Sequence, residues 1–149
     1  MLSSKESLFK AAKKLDYKPE MLEKAYQLLD MLKHIMSITY LRENLVLKGG
    51  TALNLFSFGE IPRLSVDIDL NYIGHIDRAK MLQDRQIISD ALKQIFYQKK
   101  FVLYDNNTHP EQHAGGKMTW GYASVLGQGG NIEVDLNYMY RKPLWPCMF

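Results

Sequence analysis

The sequence predicts an α/β (α+β) fold, a small mixed β-sheet of four or five strands with helices packed on one face and N-terminal helices preceding it. Three observations carry this. Residues 64–73 and 131–140 alternate apolar and polar side chains with the period of two that marks a half-buried strand. Residues 4–15, 19–37 and 77–96 repeat apolar residues at helical spacing instead. Glycine-rich breaks at Gly49-Gly50 and Gly127-Gln128-Gly129-Gly130 separate these periodic segments.

In chain order, Leu8, Ala11, Ala12 and Leu15 form the apolar face of a first helix, with Ser3 or Ser4 as its N-cap. Pro19 suits the first position of a second helix, whose stripe is Leu22, Ala25, Leu29, Leu32 and Met36, flanked by Met21, Leu28 and Ile35. Residues 44–48 are a short β-prone run stopped by Gly49-Gly50, and residues 51–58 read as a helix capped by Thr51. The strand over 64–73 puts Val66, Ile68, Leu70 and Tyr72 on one face and Ser65, Asp67, Asp69 and Asn71 on the other. Asp77 caps a long helix buried through Met81, Leu82, Ile88, Ala91, Leu92, Ile95 and Phe96. Residues 101–104 read as a strand and 105–116 as a polar loop. Two strands at 117–126 and 131–140 then form a hairpin about residues 127–130. The domain organisation expected is a helical segment over 1–43 and a core over 44–149.

Composition narrows the class without giving the chemistry. A chain of 149 residues with 46% hydrophobic and 23% charged residues is expected to be a soluble domain of ordinary size. It has no run near the roughly 20 apolar residues of a membrane helix and no apolar leader. The single cysteine, Cys147, excludes an internal disulfide and fits a reducing cytoplasm. A net charge of +3 tolerates a polyanionic partner. The His109-x-x-x-His113 spacing falls beside Pro110 in a polar loop, where a solvated loop outweighs a zinc site.

The chemistry-bearing residues are acidic. Asp67 and Asp69 project from the same side of one strand, and two carboxylates so close raise the cost of ionising both. A divalent cation relieves that conflict, and hard oxygen ligands suit magnesium, with manganese as the alternative. Asp135 lies on a later strand of the same alternating character, with Glu133 as its same-face neighbour, so it is positioned to complete a three-carboxylate site. Gly49-Gly50 before Thr51 places unobstructed backbone N–H groups where a helix begins, which favours a triphosphate. Lys48 alternates with Leu47 and points toward the cleft, and Lys117 is a further candidate cation. Together these features predict phosphoryl or nucleotidyl transfer.

The run Leu47-Lys-Gly-Gly-Thr-Ala-Leu-Asn-Leu followed by Pro62-Arg-Leu-Ser-Val-Asp-Ile-Asp-Leu closely resembles the AbiEii/AbiGii toxin family of nucleotidyltransferases, of the DNA polymerase β-like superfamily and including MenT-type toxins. The likeness is dense over residues 44–72 and weaker through Lys117-Met-Thr-Trp-Gly-Tyr and Ile132-Glu-Val-Asp-Leu-Asn-Tyr. The resemblance implies a triphosphate-binding turn at Gly49, Gly50 and Thr51, a metal pair at Asp67 and Asp69, and Asp135 as the third catalytic and metal-binding carboxylate. Arg63 and Ser65 fall inside the family's Arg-x-Ser-x-Asp-x-Asp signature and, with Lys48, join the nucleotide-binding set. It further implies magnesium-dependent transfer from a nucleoside triphosphate to an acceptor such as tRNA, a cognate antitoxin as partner, and a toxin–antitoxin or phage-defence setting. The family continues into a helical C-terminal half that has no counterpart after Tyr140, so the chain is expected to be the N-terminal half only. The alternatives are a non-catalytic nucleotide- or partner-binding remnant and an enzyme that modifies a small molecule such as an antibiotic.

Overall fold

Helix α1 (Lys5–Leu15) starts where the Ser4 hydroxyl accepts a hydrogen bond from the Ser7 N–H at 3.1 Å, satisfying a donor that the first turn leaves without a partner. It ends at Asp16, whose φ of 58° lets its N–H return to the carbonyls of Ala12 and Lys13. The computed structural model describes residues 4–47, 67–107, 115–127 and 129–138. The expected helix over 51–58, the glycine pair and the apolar C-terminal tail lie outside the described residues.

Helix α2 (Pro19–Ser37) has Pro19 in its first turn, as expected. Its buried side is Leu22, Ala25, Leu28, Met31, Leu32 and Ile35, whereas Leu29 is 36% exposed. Sequence periodicity misjudged this face because apolar residues cover more than half the helix circumference. Contacts with the sheet and with a second helix, not spacing, select the side that is buried. Helix α3 (Thr39–Asn44) is a single buried Leu41 on six residues, too short to announce itself by period.

The strands are β1 (Leu45–Leu47), β2 (Asp67–Tyr72), β3 (Val102–Asn107), β4 (Gly115–Ala123) and β5 (Gly129–Asn137), and helix α4 (Arg78–Gln98) joins β2 to β3. They form one mixed five-stranded sheet in the order β1-β2-β5-β4-β3. Strands β2 and β5 run parallel, and every other neighbouring pair is antiparallel. The predicted loop over 105–116 is shorter than expected, since β3 extends to Asn107 and β4 begins at Gly115. Those ends carry no apolar alternation. Ladder hydrogen bonding extends them, as in the pairing of Asn107 with Lys117.

One sheet face is apolar, with Leu45, Leu47, Ile68, Leu70, Tyr72, Met118, Trp120, Ile132, Val134 and Leu136 all buried. It shares a continuous core with Leu28, Met31, Leu32 and Ile35 of α2 and Ile88, Leu92, Ile95 and Phe96 of α4. The Phe96 and Trp120 rings stack 4.7 Å apart at 9°, pinning the end of α4 to β4. Such a pair adds about 1 kcal/mol beyond burial. Asp77 caps α4 by accepting from the Lys80 N–H at 3.1 Å. Within α4, Asp84 accepts hydrogen bonds from the hydroxyls of Tyr40 and Tyr72, tying the helix to α3 and β2. Both phenols are held well above their ordinary pKa, first by burial and then by the Asp84 charge. The helices thus cover one face and leave the polar side chains on the other. Among the described residues no helix is long and apolar enough to cross a membrane.

Candidate active site

Strand alternation puts Ile68, Leu70 and Tyr72 into the core, so Asp67, Asp69 and Asn71 must emerge on the opposite face. Strand β5 repeats the pattern, burying Val134 and Leu136 and presenting Glu133, Asp135 and Asn137. Parallel pairing sets these rows side by side, Asp67 opposite Glu133, Asp69 opposite Asp135 and Asn71 opposite Asn137. Four carboxylates therefore occupy two adjacent register positions. Oxygens of Asp67, Glu133 and Asp135 lie within 4.8 Å of one another, close enough for one ion to contact all three. Asp69 stands beside Asp135 in that register.

The electrostatics follow from that crowding. Burial raises the Asp67 pKa most; Glu133 and Asp135 raise it further, and Lys24 and Lys117 oppose them. Burial raises the Asp135 pKa most and the charge of Asp69 raises it further, again against Lys117. Each is a carboxylate whose charged form is disfavoured by its neighbours. Lys117 on β4 stands opposite Asp135 in register and forms an ion pair with Glu133 at 3.1 Å, which raises its own pKa. Asn71 continues the face, and its buried Oδ1 accepts no hydrogen bond among the described residues.

The donor set fits a hard divalent cation. Three carboxylates with oxygens within 4.8 Å of one another, two of them with raised pKa, form a charge arrangement that a cation neutralises. Asp67, Asp69 and Asp135, named from the sequence, are brought together. Glu133, noted there only as a neighbour, stands in the same cluster as Asp67 and Asp135. Lys48, Gly49, Gly50, Thr51, Arg63 and Ser65 lie outside the described residues.

Sequence reasoning missed Lys24. It comes from α2, donates to the Asn131 Oδ1 at 3.5 Å and bears electrostatically on Asp67. Lys24 and Asn131 also line a cleft of about 390 Å³ between α1, α2 and the β4–β5 turn. Its wall is fixed by Glu23, 7% exposed, which accepts from the Ser124 hydroxyl and from the Val125 N–H at 2.9 Å. No local signal in the sequence marks Lys24, because its place beside β5 depends on how α2 docks.

The model of one family, described as nucleotidyl transferase AbiEii toxin of a type IV toxin–antitoxin system, matches residues 30–148. No curated protein matches the chain, and neither does any solved structure.

Proposed function

The chain belongs to the AbiEii family of nucleotidyl transferase toxins of type IV toxin–antitoxin systems, and from that premise we propose that it transfers a nucleotide from a nucleoside triphosphate to tRNA in a magnesium-dependent reaction. The observation that carries this reading is the parallel register that sets Asp67 and Asp69 against Glu133 and Asp135. Family membership supplies the class of reaction, and the carboxylate cluster supplies a place for it.

Asp67, Asp69 and Asp135, with Glu133 in the same cluster, would hold magnesium, or manganese in its place. When bound, such an ion neutralises phosphate charge and orients the attacking hydroxyl. Asp135 would position or deprotonate the acceptor hydroxyl through a carboxylate oxygen. Lys117 draws the polyphosphate toward the acidic face, which would otherwise repel it. Gly49, Gly50 and Thr51 would cradle the triphosphate, with Lys48, Arg63 and Ser65 around it. A cognate antitoxin would restrain the enzyme in the cytoplasm, in a toxin–antitoxin or phage-defence role.

The test is incubation with magnesium, each labelled nucleoside triphosphate in turn, and either total tRNA or small acceptors. Label is expected on tRNA, and Asp69→Asn should remove it. Label on small acceptors alone would replace tRNA as the substrate, and binding without any transfer would mark a nucleotide-binding module.

A further inference from the structure

Resting on that reading of the carboxylate face, we propose that Tyr104 is a stacking platform for an unpaired nucleobase of the substrate. Strand β3 is an edge of the sheet and is irregular at one point. Leu103 lies opposite Trp120 and Asp105 lies opposite Thr119, so Tyr104 is an extra residue between them. Tyr104 keeps the alternation of Val102 and Leu103 and emerges on the same face as Val102, while the irregularity brings Asp105 to that face as well. Leu103 packs against the core, and the Tyr104 ring lies across the backbone of Gly121, where an added Cβ would meet ring carbons at 2.3 and 2.4 Å.

Gly121 is opposite Asn131, and Asn131 shares its strand face with Glu133 and Asp135. The ring therefore rests on the face that carries the carboxylates. The same sheet contains a second pair of this kind with a different outcome. The Tyr122 ring covers Gly130, with an added Cβ at 2.2 Å, but Tyr122 is only 8% exposed and belongs to the core. An aromatic laid on a strand glycine stabilises a sheet by covering bare backbone. That accounts for Tyr122, but not for a ring that remains 66% exposed beside Val102 at 57%. Tyr104 holds one side against Gly121 and offers the other to solvent, the geometry of a base-stacking surface.

Position and charge agree with that occupant. Two strand spacings across the sheet and two residues along it put Tyr104 about 12 Å from Glu133, a span of about four stacking steps at about 3.4 Å each. Lys117 stands on the intervening strand, where it can accompany a phosphate backbone. Either the acceptor strand or the nucleoside triphosphate can supply the base.

Three proteins decide the matter: wild type, Tyr104→Trp and Tyr104→Leu, the last covering Gly121 without a flat ring. Each is titrated in magnesium with single-stranded RNA of mixed sequence, with the same RNA as a duplex, and with each nucleoside triphosphate. Tyr104→Leu should weaken binding about tenfold, Tyr104→Trp should restore it, and the duplex should be insensitive to both changes. A loss confined to the RNA titration assigns the base to the acceptor; a loss confined to the triphosphates assigns it to the donor. If Tyr104→Leu binds both ligands like wild type, the platform is overturned and the proposed function is untouched. A wild-type protein that binds neither ligand overturns both.

Discussion

Asp69 and Asp135 face each other across the parallel pair of β2 and β5, and the charge of Asp69 raises the Asp135 pKa. Two carboxylates held side by side repel each other when both are ionised, a repulsion that a proton or a cation relieves.

That repulsion predicts a stability penalty at neutral pH. Asp67→Asn and Asp135→Asn each remove a carboxylate whose ionisation its neighbours disfavour. In chelator, each variant should be more stable than wild type by about 1 kcal/mol, a gain of about 3 °C in Tm for a chain of this size. Added magnesium should raise the melting temperature of wild type and not of the variants. Thermal melts with and without the metal check both parts, and an Asp135→Asn protein that melts lower in chelator contradicts the account.

The pH dependence carries a definite sign. Asp67 and Asp135 have folded-state pKa values raised above the unfolded value, so the native state binds more protons than the unfolded state in the window between the two. Their contribution to stability is fully present below the ordinary aspartate pKa of about 3.9 and is lost as pH rises through the raised values. Wild type compared with the Asp67→Asn/Asp135→Asn double variant should therefore gain relative stability as pH falls from neutrality. Urea titrations of the pair without metal at a series of pH values measure this difference directly.

Lys117 competes with a cation for Glu133. Replacing it with Met removes one positive charge from the cluster and frees that carboxylate. Manganese binding to the free protein should tighten while triphosphate binding weakens, a split that calorimetry with each ligand resolves. Weakening of both would mean that Lys117 props the carboxylates rather than neutralising them.

Glu23 fastens α2 to the turn after β4 through the Ser124 hydroxyl and the Val125 N–H. Glu23→Ala removes the acceptor from those half-buried donors, at a cost of about 1 kcal/mol, or about 3 °C in Tm. Because Lys24 is the next residue, Asp67 should feel the loosened helix as well, and magnesium-dependent stabilisation should change with it. A melt unchanged from wild type would show that the docking of α2 rests on its apolar face alone.

Much of the fold was legible in the sequence because alternation and helical spacing are local stereochemistry. The apolar and acidic faces of β2 follow from Asp67-Ile68-Asp69-Leu70-Asn71-Tyr72 alone, and those of β5 from Ile132 to Asn137. The burial of Leu28 and Met31 in place of Leu29 was not legible, since a helix with apolar residues on most sides is oriented by what it packs against. Nor were the ends of β3 and β4, which pairing extends beyond any side-chain signal.

The sequence by itself determined which residues carry the chemistry and which side of a strand each one leaves, because a strand's period of two allows no other outcome. The tertiary structure decided their company. Parallel pairing of two strands distant in the chain set Asp67 against Glu133 and Asp69 against Asp135, the docking of α2 brought Lys24 to the site, and the pairing of β3 with β4 laid Tyr104 on Gly121. Register and docking depend on the whole core being filled at once, so no local pattern records them.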